Sequence, residues 1–125
     1  MSLEADFVQT RHSSMMSGPQ ISLGHMSYHA PDYLQWAYTS PETMVWEING
    51  SKSNVNPHVQ RLLRMIMNAV EGQDPDSEKV KKETKKFFQS VNIIIDEKTG
   101  VAKQVEMTEK NGDKTIIEFK NVVFK

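Results

Sequence analysis

The chain has 125 residues, 15 basic against 16 acidic, and no cysteine. That length supplies one hydrophobic core and no material for a second, and the balanced charge gives no basic field for nucleic acid. The missing cysteines exclude disulfides, zinc–thiolate sites and thiol catalysis. No apolar run approaches the ~20 residues of a membrane-spanning helix, and no signal-peptide core is present. Met1-Ser2-Leu3 reads as an added start, with a targeting segment removed ahead of it. The eight methionines suit an apolar surface that must adapt to varied contacts, or gap-filling in a core.

Residues 6–13 read as a first strand, with Phe7 and Gln9 assigned to opposite faces, and Gly18-Pro19 breaks the chain after it. Residues 20–29 read as a second strand with Ile21, Leu23 and His25 on one face and Met26 and Tyr28 on the other. Gly24 inside it predicts a bulge or a sharp bend. Pro31 and Pro41 bracket a third strand over 33–38 with Leu34, Trp36 and Tyr38 on one face. A fourth follows over 44–48 with Met44, Trp46 and Ile48 aligned. Asn49-Gly50 is a strong hairpin signal, yet Ser51 to Asn54 is poor strand material.

The centre is helical. Asn56 is a good N-cap and Pro57 suits the first helical position. Val59, Leu62, Leu63, Ile66 and Val70 recur at helical spacing, Met65 and Met67 broaden the arc, and Gly72 is a natural stop. A second, lysine-rich helix is predicted over 78–89, with Val80, Thr84, Phe87 and Phe88 on its apolar side. From Val91 the strand pattern returns over 91–95, 101–110 and 115–124, with turns at 96–100 and Asn111-Gly112. In the last strand Ile117, Phe119 and Val123 are expected to face inward, and Ile116, Val122 and Phe124 outward.

No catalytic constellation emerges. His25 and His29 lie about 13 Å apart along a strand, too far to share a metal. The acidic residues at 74, 76, 96 and 97 sit in turns, and there is no phosphate loop, dinucleotide fingerprint or serine elbow. The residues therefore predict an α+β domain spanning 1–125: a strongly curved antiparallel sheet, or incomplete β-barrel, with helices covering its concave face. No enzymatic activity, cofactor, metal or nucleic-acid partner is expected. Polar residues converging in the concavity would point to an enzyme, and a dry concavity to carriage of an apolar ligand.

The order Phe7-x-Gln9, the strand ending at Tyr28, Pro31-Asp32-Tyr33-Leu34-Gln35-Trp36 with Tyr38 and Pro41, and Ile48-Asn49-Gly50 resembles the opening of the outer-membrane lipoprotein carrier (LolA) family. The stretch from Phe88 to Phe124 is similar to the family's ending, so the likeness covers about two-thirds of the chain, through short motifs. The resemblance implies a periplasmic chaperone whose half-barrel receives the acyl chains of lipoproteins in transit. An inner-membrane release complex and an outer-membrane acceptor would be its partners. It implies an apolar cavity lined by Leu34, Trp36, Tyr38, Met44, Trp46, Ile48, Ile117 and Phe119, under a lid formed by Leu62, Leu63, Ile66, Met67 and Val70. Where the family carries an arginine before the proline, this chain has Ala30, so the lid is expected to be held by packing alone. The family's N-terminal helix and about two strands after the Asn-Gly hairpin are not evident. A lipid- or glycolipid-binding module of the cell envelope on the same half-barrel is the second reading. An enzyme or interaction domain with a cone-shaped sheet is the third.

Overall fold

A computed structural model describes residues 2–70 and 88–125. Its described part is an eight-stranded, wholly antiparallel sheet and one helix. In chain order these are β1 (Ser2–His12), β2 (Gln20–His29), β3 (Tyr33–Ser40), β4 (Met44–Asn49), β5 (Lys52–Ser53), α1 (Pro57–Val70), β6 (Phe88–Ile95), β7 (Ala102–Glu109) and β8 (Lys114–Phe124). The strands lie in the order β5-β4-β3-β2-β1-β8-β7-β6. Two meanders, β1 to β5 and β6 to β8, are thus joined along the β1–β8 seam, and the backbone of Lys125 extends that seam by donating to the Ser2 carbonyl.

The α+β expectation, with helices covering the concave face, is corrected: the molecule is mostly sheet, and α1 is the one helix among the described residues. The lysine-rich helix predicted over 78–89 lies outside the described residues as far as position 87. Its last two positions, Phe88 and Gln89, belong to β6, where Phe88 pairs with Glu109 and is buried. At these two positions burial of the large Phe88 side chain against the sheet favours the strand. The Gly72 stop also falls outside the described residues.

One face of the sheet is apolar. Leu3, Ala5 and Phe7 of β1, Met26 and Tyr28 of β2, Leu34, Trp36 and Tyr38 of β3, Ile48 of β4 and Ile117 and Phe119 of β8 are all buried on it. Period two places them there. Gln9 joins Phe7 on this side, since residues two apart in a strand share a face. Its hydrogen bond to Tyr38 shows the same, and the assignment of the two to opposite faces is corrected. Trp36 and Phe119 stand three strand spacings apart, about 14 Å on a flat sheet, yet their ring centroids are 6.2 Å apart. The sheet curls toward this face.

The inward placement of Val123 is also corrected. Between the pairs Glu4↔Val123 and Asp6↔Lys120, Ala5 faces two residues of β8, and Asn121 adopts φ 54°. This bulge reverses the alternation, so Val122 packs against the core and Val123 is exposed. On the outer face beside it, Asn121 donates to Asp6. Asp6 and Glu4 flank the His25 ring, and Lys125 pairs with Glu4.

Helix α1 begins as its sequence requires, with the Asn56 side chain accepting from the Val59 amide at 2.9 Å. Leu63, Met65, Ile66 and Met67 are buried and Leu62 and Val59 are partly so. At about 21 Å for 14 residues, the helix touches β7 near one rim of the sheet. Toward the other rim, Arg64 donates to the Gly50 carbonyl in the β4–β5 turn at 3.0 Å. The expectation of a lid held by packing alone is therefore corrected, because α1 also has a polar tie.

Candidate functional site

Read along each strand, the concave face changes character. On β1 the inward residues run Leu3, Ala5, Phe7, then Gln9 and Arg11; on β2 they run Tyr28, Met26, Gly24, then Ser22 and Gln20; on β3, Leu34, Trp36, Tyr38, then Ser40. The register pairs Phe7 with Gly24 and Gly24 with Tyr38, then Gln9 with Ser22 and Arg11 with Gln20. The apolar-to-polar change thus falls at one level on neighbouring strands. The face has a dry end under α1 and a wet end at the β1–β2 and β3–β4 turns.

At the dry end the rings are closely packed. Phe7 stacks on Trp36 at 3.8 Å and 15°, and Tyr38 meets Phe7 and Trp36 edge-on. Of the eight residues expected to line a cavity, Leu34, Trp36, Tyr38, Ile48, Ile117 and Phe119 are buried here in side-chain contact. Trp46 is partly buried and Met44 is 44% exposed. Of the expected lid, Leu63, Ile66 and Met67 are buried on the same cluster and Leu62 packs at its margin. Val70 closes the helix, but its side chain lies outside the described residues.

The wet end is open. A cleft of about 260 Å³ is lined by Gln9, Arg11, Gln20, Ser22, Tyr38, Ser40, Pro41, Glu42, Met44 and Trp46. Tyr38 and Trp46 meet edge-on at 5.2 Å on its aromatic side. Burial raises the Tyr38 phenol above its ordinary 10, which keeps it a neutral donor, and it gives its hydrogen to Gln9 Oε1 at 2.8 Å. Arg11 is held by Asp113 at 3.3 Å and lies 4.0 Å from Glu109, so its charge is largely answered. The concavity is thus neither wholly dry nor a catalytic constellation. Glu42 is the only carboxylate among the cleft's lining residues, and no histidine lines it. Among the described residues no group of three or more histidines and acidic side chains could hold a metal.

Period-two alternation marks the aromatic half of this face but not Gln9, Arg11, Gln20, Ser22, Ser40 and Glu42. The available signal was the switch from apolar to polar at the inward positions of the first two strands. It becomes a site only once the strand register is known, because Gln9 and Ser22 are thirteen positions apart and meet through pairing.

No family model matches the chain, and no curated protein matches it. The functional reading therefore rests on the geometry of this face and the sequence resemblance.

Proposed function

We propose that this domain is a periplasmic carrier that shelters the acyl chains of lipoproteins on the dry half of its concave face. The observation behind the reading is the graded face itself, apolar under a helix and polar at an open mouth. An amphiphile lies along such a gradient with its tail inward and its linked peptide at the mouth. Uptake requires α1 to lift, breaking the Arg64–Gly50 contact and uncovering Phe7, Trp36, Ile117 and Phe119. Each acyl methylene that replaces a helix side chain recovers about 0.8 kcal/mol of apolar burial, so tail and helix compete for one surface. The affinity is then modest, as a carrier that must release its cargo requires. An inner-membrane release complex would load it and an outer-membrane acceptor would unload it.

The polar cleft favours a second reading, a cell-envelope lipid- or glycolipid-binding module on the same face. Native mass spectrometry of the protein isolated from an envelope extract tests both. Co-purified lipoprotein supports the carrier, co-purified glycolipid supports the second reading, and ligand-free protein from a lipid-rich extract counts against both.

A further inference from the structure

The cleft at the wet end has a chemistry that acyl carriage does not use. Six of its ten lining residues are polar or charged. Among the described residues, nothing bonds the Ser22 and Ser40 hydroxyls or the Glu42 carboxylate, and the Gln9 amide nitrogen is unpartnered while its oxygen accepts from Tyr38. An acyl chain laid here would strip water from these groups and return no hydrogen bond in exchange. An anion is equally poorly served, because Arg11 is already engaged by Asp113 and Glu109 and Glu42 repels negative charge. A neutral molecule carrying many hydroxyls, with a flat C–H face to set against Trp46, satisfies every part of this lining. At about 260 Å³ the cleft lies just below the ~300–1,000 Å³ of pockets for drug-sized ligands, and so suits a small cyclic group.

We propose that the cleft between Gln9, Ser22, Ser40, Glu42 and Trp46 binds a saccharide ring, with Trp46 packing against its C–H face and the polar side chains meeting its hydroxyls. The ring comes from a free glycan or from a glycolipid headgroup. This site stands on the cleft alone and does not depend on acyl uptake at the dry end.

Saturation-transfer NMR with the methyl glycosides of glucose, galactose, mannose and N-acetylglucosamine tests it. Transfer to the ring protons of at least one glycoside is expected, and Trp46→Ala should abolish it. Because Trp46 is partly buried, the double variant Ser22→Ala, Ser40→Ala, at the polar ends of β2 and β3, gives a second measure. It should weaken binding about fivefold for each hydrogen bond lost. The octyl glycoside of the same sugar separates the sources. Tighter binding than the methyl glycoside identifies a glycolipid headgroup, and equal binding a free glycan. No transfer from any of the four sugars overturns the proposal, as does transfer unchanged in both variants, or displacement of the sugar by inorganic phosphate or by a soluble unacylated peptide. Displacement of an apolar dye from the dry end is read separately, so failure of one site leaves the other result standing.

Discussion

Phe7 and Trp36 lie face to face, ring centroids 3.8 Å apart, although a whole strand runs between them. They meet because the residue of that strand lying between them on the concave face is Gly24, which pairs with Phe7 on one side and with Tyr38 on the other. A Cβ at Gly24 would collide with the Phe7 ring and with the Ala37 carbonyl oxygen. The glycine is a gap through which the aromatic cluster closes. Gly24→Ala should therefore destabilise the protein by about 1–3 kcal/mol. Combining it with Phe7→Leu should not restore stability, because the backbone collision remains. Urea unfolding of the single and double variants checks both outcomes.

Arg64 is the polar tie between α1 and the β4–β5 turn. It is exposed, so Arg64→Ala should cost only about 0.5–1.5 kcal/mol of stability. If α1 must lift for ligand entry, the same variant should bind an apolar dye faster, with stopped-flow fluorescence as the readout. A stability loss with no change in entry rate would make Arg64 a brace with no part in gating.

Asn54 takes the place of a strand partner at the edge of the sheet. Its side chain accepts from the Glu47 amide at 2.8 Å and donates to the Val45 carbonyl at 3.1 Å, and its own amide donates to the Glu47 carbonyl. Beyond the two residues of β5, this amide covers the β4 edge. Uncovered edges pair with other chains. Asn54→Ala should lower stability by about 1 kcal/mol and produce concentration-dependent self-association in sedimentation velocity, where the unaltered protein shows less.

The outer face sets a pH dependence. The Asp6 carboxylate, and then Glu4, hold the His25 imidazole above its ordinary 6.5. This contribution is complete below pH 6.5 and is lost as pH rises through the raised value. Lys125, and then His25, hold Glu4 at about 2 instead of 4.5. His25, and then Asn121, lower Asp6 from 3.8. Both carboxylate contributions are present above those ordinary values and disappear as pH falls. Thermal stability should accordingly be greatest between pH 4.5 and 6.5, and His25→Gln should flatten the alkaline limb. An unchanged alkaline limb in that variant would exclude His25 as its origin.

The features legible in the sequence were those governed by local rules. Leu34, Trp36 and Tyr38 alternate strictly between two prolines, and Asn56-Pro57 marks a helix start that the Val59 amide confirms. What escaped depends on partners distant in the chain. Val123 faces outward because Asn121 inserts a bulge opposite Ala5, which no alternation pattern reports. Phe88 belongs to a strand because the sheet, built from residues far along the chain, gives its side chain a buried place. β5 is cut to two residues because the Asn54 side chain does the work of a longer strand. The cleft was invisible for the same reason: its residues come from four strands and the β3–β4 turn and meet only through register.

Acyl-chain entry between α1 and the concave face is the central event of carriage, and competition titration reads it most directly. An environment-sensitive apolar dye is bound to the protein and displaced with an acylated peptide, the same peptide without its acyl chain, and increasing salt. Dye binding, displacement by the acylated peptide only, and little effect of salt are expected, since the contacts are apolar. Leu63→Asp with Ile66→Asp should weaken the dye's hold on the face. No dye binding, displacement by the unacylated peptide as well, or binding that collapses with salt would contradict it.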